Sequence, residues 1–159
     1  SGVAALIAAA QSLAGQELDR NVIFVTFTGE EHDLLGSIWF TSSRTVNLQD
    51  VALMLNADMV GRNPSRPVII YQKGNLPFVG ENLASLAGRS GLNAQVVTTG
   101  FGGSDHTPFE MSGVPVIFPF SGFHSDYHGV DDESDRIDYA QLAAVSQFIV
   151  NVVEAAARN

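Results

Sequence analysis

VIFVTFTGEEHDLLGS, residues 22–37, opens as a near-continuous run of apolar and β-branched side chains and stops at Gly29 before two adjacent glutamates. The run at 21–28 reads as a buried strand, and 34–43 reads as the helix it feeds. Strand-then-helix is the repeating unit of α/β proteins, whose parallel strands are covered on both faces and so lose the polar alternation of a half-exposed sheet. The acid pair poses a problem of its own. Like charges at the lip of a core repel and are costly to desolvate, and a bound cation would offset that cost.

Working outward, the same alternation continues. Ser1 can cap a helix over 1–14 with an apolar stripe through Val3, Leu6, Ile7, Ala10 and Leu13, stopped by Gly15. Residues 51–57 read as a second buried strand, 66–72 as a third, 94–98 as a short fourth and 114–120 as a fifth. Helices are expected at 76–89, from Ser104 onward, and at 137–156. No repeat or linker interrupts the pattern. The expected fold is a three-layer α/β/α sandwich around a mixed, mainly parallel sheet, in one domain.

Composition narrows the function classes. At 159 residues the chain can remove ~70% of its unfolded surface from water. Apolar residues make up 45% and charged residues 16%, which excludes a disordered chain. The formal net charge of −9 argues against nucleic acid or an anionic membrane surface and fits a cationic partner such as a metal or an ammonium group. There is no cysteine, hence no disulfide frame and no thiolate metal site. No signal peptide and no transmembrane segment is expected; residues 1–14 are apolar but too short and lack a basic start.

In open α/β sheets ligands gather beyond the carboxyl ends of strands. Three such ends carry acid or imidazole: Glu30 and Glu31 after the first, Asp58 in NADMVGR after the second, and His124, Asp126, Tyr127 and His128 in HSDYHGVDDESD after the last. Carboxylate and imidazole form a ligand set for zinc. Adjacent glutamates suit a division of labour, one binding metal and the other taking a proton from water. Singly, each feature has a plainer reading. EE after a strand is common at a helix N-terminus. The run Asp131, Asp132, Glu133, Asp135 reads as a solvated loop, and GFGGSDH lacks the spacing and lysine of a nucleotide loop. The argument rests on their conjunction.

FTGEEHDLLGS, LNADMVGR, SDHTPFEMSGVPVIF and DYHGVDDESDRIDY, in this order, resemble the bacterial leucyl-aminopeptidase-like zinc metallopeptidases, a di-zinc exopeptidase family related to glutaminyl cyclases and transferrin-receptor ectodomains. The resemblance spans essentially the whole chain. It implies that Glu30 is the general base, that Glu31 and Asp58 are ligands of different zinc ions, that His128 is the last ligand, and that Tyr127 hydrogen-bonds the developing oxyanion. SDH at Ser104 to His106 matches a supporting segment near the substrate cleft. The implied activity is zinc-dependent release of N-terminal residues from peptides with a free N-terminus, and export to the periplasm or medium is implied with it.

The chain departs from the family at its start. The family's zinc-bridging aspartate sits in an Asp-Asn-x-Ser-Gly motif with a histidine ligand further upstream, whereas this chain begins at SGV. Residues 1–159 are therefore expected to be the C-terminal part of a metallopeptidase catalytic domain lacking N-terminal strands. At most one weakly held zinc is expected, with a further segment or another chain completing the sheet. Two other functions compete: a glutaminyl cyclase-like zinc enzyme, and a non-catalytic receptor-like domain. Retention of Glu30, Glu31, Asp58, Tyr127 and His128 disfavours the second.

Overall fold

Along Val116–Phe120 the side chains alternate between two apolar clusters, which fixes the layers. Ile117 joins Val68, Ile70, Leu86, Val145 and Phe148, while Val116, Phe118 and Phe120 join Tyr71 and Phe109 on the other face. The computed structural model describes residues 1–78, 81–100 and 102–158. Its sheet has strands β1 (Met54–Leu55), β2 (Val68–Lys73), β3 (Ala94–Val97) and β4 (Val116–Phe120) in the order β1-β4-β2-β3. β1/β4 and β2/β3 are parallel and β2/β4 antiparallel, so the sheet is mixed with parallel pairs in the majority. Helices α1 (Gly2–Leu13), α3 (Leu83–Arg89) and α5 (Tyr139–Ala157) contribute to the first cluster; α2 (Leu35–Ser42) and α4 (Thr107–Met111) flank the second, through Phe40 and Phe109. This is the expected α/β/α sandwich.

Four expectations change. The buried strand expected at 21–28 does not form: among the described residues 21–27 join no ladder, and none of 21–28 is buried, Ile23 being 60% exposed. Residues 25–27 and 54–58 both line a cleft of about 200 Å³, and among the described residues no backbone hydrogen bond joins the two stretches. The segment is held instead through its side chains and its end: Phe27 packs on Phe40 and Phe109, and Gly36 N–H donates to Thr28 O at 2.9 Å. For the same reason the strand expected at 51–57 pairs only over Met54–Leu55, on its β4 side. The helix expected at 76–89 covers only Leu83–Arg89, begun by Asn82, whose side chain accepts from Ser85 N–H at 2.9 Å; residues 79 and 80 lie outside the described residues.

The third change concerns α1. Its buried face is Ala5, Ala9 and Leu13, with Val3 and Ile7 more than half exposed. α1 lies against α5, and small side chains let the two helices approach closely where a Leu/Ile stripe would hold them apart. Ser1 makes no side-chain cap; its hydroxyl accepts from Val60 N–H at 3.1 Å. The fourth is α5, which at 19 residues is long and apolar enough to cross a membrane by length and composition. Leu142, Val145, Phe148, Ile149 and Val152 spend that apolarity on the core.

Gly36 fixes where the acid pair sits. A Cβ there would meet Thr28 O at 2.6 Å and Thr28 N at 2.8 Å, both backbone atoms that cannot swing away. Gly36→Ala is therefore expected to destabilise the chain by about 1–3 kcal/mol, the range for overpacking, by pushing α2 off residue 28. Urea unfolding with an unchanged m-value is the measurement; a shift within error of zero would show that the helix slides freely.

Candidate active site

Each site residue sits where a turn ends a strand or extended segment. After Thr28 the chain turns at Gly29 (φ 65°), with His32 N–H and Leu35 N–H donating to Gly29 O, and this turn presents Glu30 and Glu31. After β1 the chain reverses at Met59 (φ 50°), which leaves Asp58 at the tip. After β4, residues 121–129 form a loop in which Tyr127 N–H donates to His124 O and Gly129 N–H to Asp126 O. That second turn puts His128 at φ 56°, a left-handed conformation that histidine tolerates better than most side chains.

These turns meet at one edge of the sheet. His128 Nε2 lies 2.7 Å from Glu31 Oε1, across 97 positions of sequence, with both side chains more than half exposed. The Tyr127 ring stacks on the His128 ring with centroids 3.8 Å apart. Glu30 and Asp58 line the cleft between 25–27 and 54–58, together with Ser104 and Asp105. Ser104, itself buried, donates to Asp58 Oδ2 at 3.0 Å and accepts from Asn56 Nδ2 at 2.8 Å.

The electrostatics follow from this crowding. Burial pushes the Glu30 carboxyl above the usual glutamate range, and Asp58, Glu31 and Asp105 push it further, against a smaller opposing pull from His128. Burial likewise raises Asp105, with Asp58 adding to it and a hydrogen bond with Ser37 opposing. Asp105 Oδ1 is buried without a hydrogen-bond partner among the described residues. Tyr127 is held above the usual phenol range, by desolvation first and then by Glu31, Glu30 and Asp58, so it stays a donor at neutral pH.

The residues present fit zinc in kind but incompletely. Glu31 and His128 form a carboxylate–imidazole pair within one coordination sphere of each other, and Asp58 keeps one oxygen free of Ser104. Among the described residues, however, no three His, Cys, Asp or Glu side chains converge as a metal cluster.

Two of the sequence-selected side chains are structural. The His124 side chain is almost fully buried, with Nε2 3.8 Å from Asp132 Oδ2, and Asp126 pairs with Arg62 and Arg136. Asp132, read from sequence as part of a solvated loop, also pairs with Arg62. The sequence marks Asp105 only as part of SDH. Its adjacency to Glu30 and Asp58 is a product of packing that no spacing announces.

Comparison with known proteins places the chain in a family. Residues 1–153 match Peptidase family M28. The chain is 31% identical over 130 residues to leupeptin-inactivating enzyme 1 of Streptomyces exfoliatus, covering 80% of this chain and 28% of that protein. It is 25% identical to aminopeptidase YwaD of Bacillus subtilis, covering 96% of this chain and 36% of that one. Among solved structures, an aminopeptidase from Aneurinibacillus sp. strain AM-1 superposes with a TM-score of 0.81 at 26% identity, over 98% of this chain and 38% of the other. The zinc aminopeptidase BSAP from Bacillus subtilis superposes at 0.78 and 22% identity, which speaks to fold alone. The chain thus spans roughly a third of each relative's length. With the family match running over residues 1–153 of 159, the chain belongs to peptidase family M28.

Proposed function

We propose that the whole protein carrying this chain is a zinc-dependent aminopeptidase, with Glu31, Asp58 and His128 as metal ligands, Glu30 as general base and Tyr127 as oxyanion donor. The observation that carries the reading is the 2.7 Å meeting of Glu31 and His128 beside Glu30, from turns 97 residues apart. Zinc bound there would supply Lewis acidity toward the scissile carbonyl and toward water.

The chain's own residues do the rest. Glu30, with its affinity for protons raised by burial and three neighbouring acids, is suited to take a proton from the attacking water and hand it to the leaving amine. Tyr127, kept as the phenol, donates to oxygen as charge develops on it. The surplus of carboxylates in the cleft favours a substrate's free α-ammonium over a blocked end. We also assign to the cleft lined by 25–27 and 54–58 the place where a further strand completes the sheet, since Met54–Leu55 pairs there only with β4 and 25–27 joins no ladder among the described residues.

The test is an assay of the whole protein on peptides with free and acetylated N-termini, with and without chelator and added zinc. Chelator-sensitive release of the first residue from free peptides alone is expected. Cyclisation of N-terminal glutamine without hydrolysis would instead identify the cyclase chemistry.

A pH prediction follows from Glu30. Its folded pKa is raised, so its stabilising contribution is complete below the ordinary glutamate range and is lost as pH rises through the raised value. In the metal-free chain, Glu30→Gln is expected to be more stable than the parent at neutrality, and the difference should vanish in acid. Urea midpoints of the two proteins across that window check the sign; a variant less stable at neutrality contradicts it.

A further inference from the structure

Tyr127 and His128 are both exposed and have little burial of their own to hold them, yet His128 keeps a left-handed backbone and a fixed partner in Glu31. Something beneath them sets the loop. Arg62, four residues beyond Asp58, has a side chain only 12% exposed, and its guanidinium reaches two carboxylates of the loop at once, Nη2 to Asp126 Oδ2 and Nη1 to Asp132 Oδ1. Asp126 immediately precedes Tyr127. Arg136 Nη1 adds a second contact to the same Asp126 oxygen at 3.0 Å, and Ser125 Oγ binds the other oxygen at 3.1 Å.

Arg62 is itself anchored. Gln141 Nε2 of α5 donates to Arg62 O at 2.6 Å, and Asp138 N–H donates to Gly61 O at 2.9 Å. Next to it Asn63 Nδ2 reaches the carbonyls of Ser121, Gly122 and Phe123 at 3.0–3.1 Å. One rigid turn after β1 therefore carries Asp58 at its tip and grips the loop that carries Tyr127 and His128.

We infer that Arg62 is a positioning residue: its fork across Asp126 and Asp132 sets Tyr127 and His128 relative to Asp58 and Glu31, so that a metal ligand from one strand end and those from the others keep a common register. The inference rests on the proposed zinc site for its metal arm and on geometry alone for its structural arm. A guanidinium suits this task because its planar donors engage two carboxylates in one orientation, which a lysine ammonium does not impose.

The test uses Arg62→Met, which keeps the stem's packing, and Arg62→Lys. Two quantities are read on the 159-residue chain. One is the ring-current shift of the His128 protons from the stacked Tyr127 ring; the other is zinc affinity by competition with a chromophoric chelator. In Arg62→Met the ring-current shift is expected to collapse while β2 and β4 amide signals stay in place. Zinc affinity should fall about ten-fold or more, the usual loss when a group supporting a ligand is removed, and Arg62→Lys should lie between. An unchanged ring-current shift, an unchanged zinc affinity, or a general displacement of the sheet amides each overturns the inference. If the parent chain binds no measurable zinc, the ring-current shift alone decides the role of Arg62.

Discussion

Under the proposed function, Glu30→Gln in the whole protein is expected to lower turnover by about 100-fold or more while zinc content stays at the parent level. The magnitude is that of losing a general base. Gln has the volume of Glu and can still hydrogen-bond, but it cannot accept a proton at any working pH. Metal retention is the discriminating half of the result. Glu30 faces the cleft beside Asp58 and Asp105, whereas the neighbouring Glu31 meets His128, so the two adjacent carboxylates have separate partners. Zinc per chain by elemental analysis, beside steady-state kinetics, checks both halves. Unchanged turnover would remove Glu30 from the chemistry; zinc lost together with activity would show that Glu30 is a ligand and that the division of labour is reversed.

The second large effect concerns metal binding by residues 1–159 on their own. This chain is expected to hold at most one zinc, weakly, and Glu31→Gln or His128→Ala should abolish that binding while Asp58→Asn leaves it nearly unchanged. Tight zinc sites use three or four protein ligands. Glu31 and His128 stand within a single coordination sphere of each other, and among the described residues no third His, Cys, Asp or Glu joins them in a metal cluster. Asp58 is turned into the cleft and engaged by Ser104. Peptide hydrolysis by this chain alone should accordingly be absent or nearly so. Equilibrium dialysis followed by elemental analysis measures it. Two tightly held zincs per chain, or loss of binding in Asp58→Asn equal to that in His128→Ala, would mean that the ligands converge in a way this geometry does not contain.

What could be read from the chain without its structure was whatever depends on neighbours in sequence. The apolar runs at 66–72 and 114–120, the helical periodicity of 137–156 and the alternation of strand with helix are local signals. They predicted β2, β4, α5 and the three-layer architecture, because burial on both faces of a sheet leaves its mark on every consecutive residue. The candidate site was legible for a related reason: strand ends mark the binding edge of an α/β sheet, and Asp58, Tyr127 and His128 come after β1 and β4, while Glu30 and Glu31 follow a segment that only the sequence reads as a strand. Tertiary structure alone decided what depends on distant partners. Whether 21–28 pairs as a strand is set by what lies across from it, and here a cleft does. Which face α1 buries is set by how closely α5 approaches, so Ala5 and Ala9 displaced the more apolar Val3 and Ile7. The reach of Arg62 to Asp126 spans 64 positions and that to Asp132 spans 70, turning an apparently solvated acid run into the support of a site loop. A charged side chain's sequence neighbours do not reveal whether water or a guanidinium will neutralise it; only the folded backbone brings that partner within hydrogen-bonding distance.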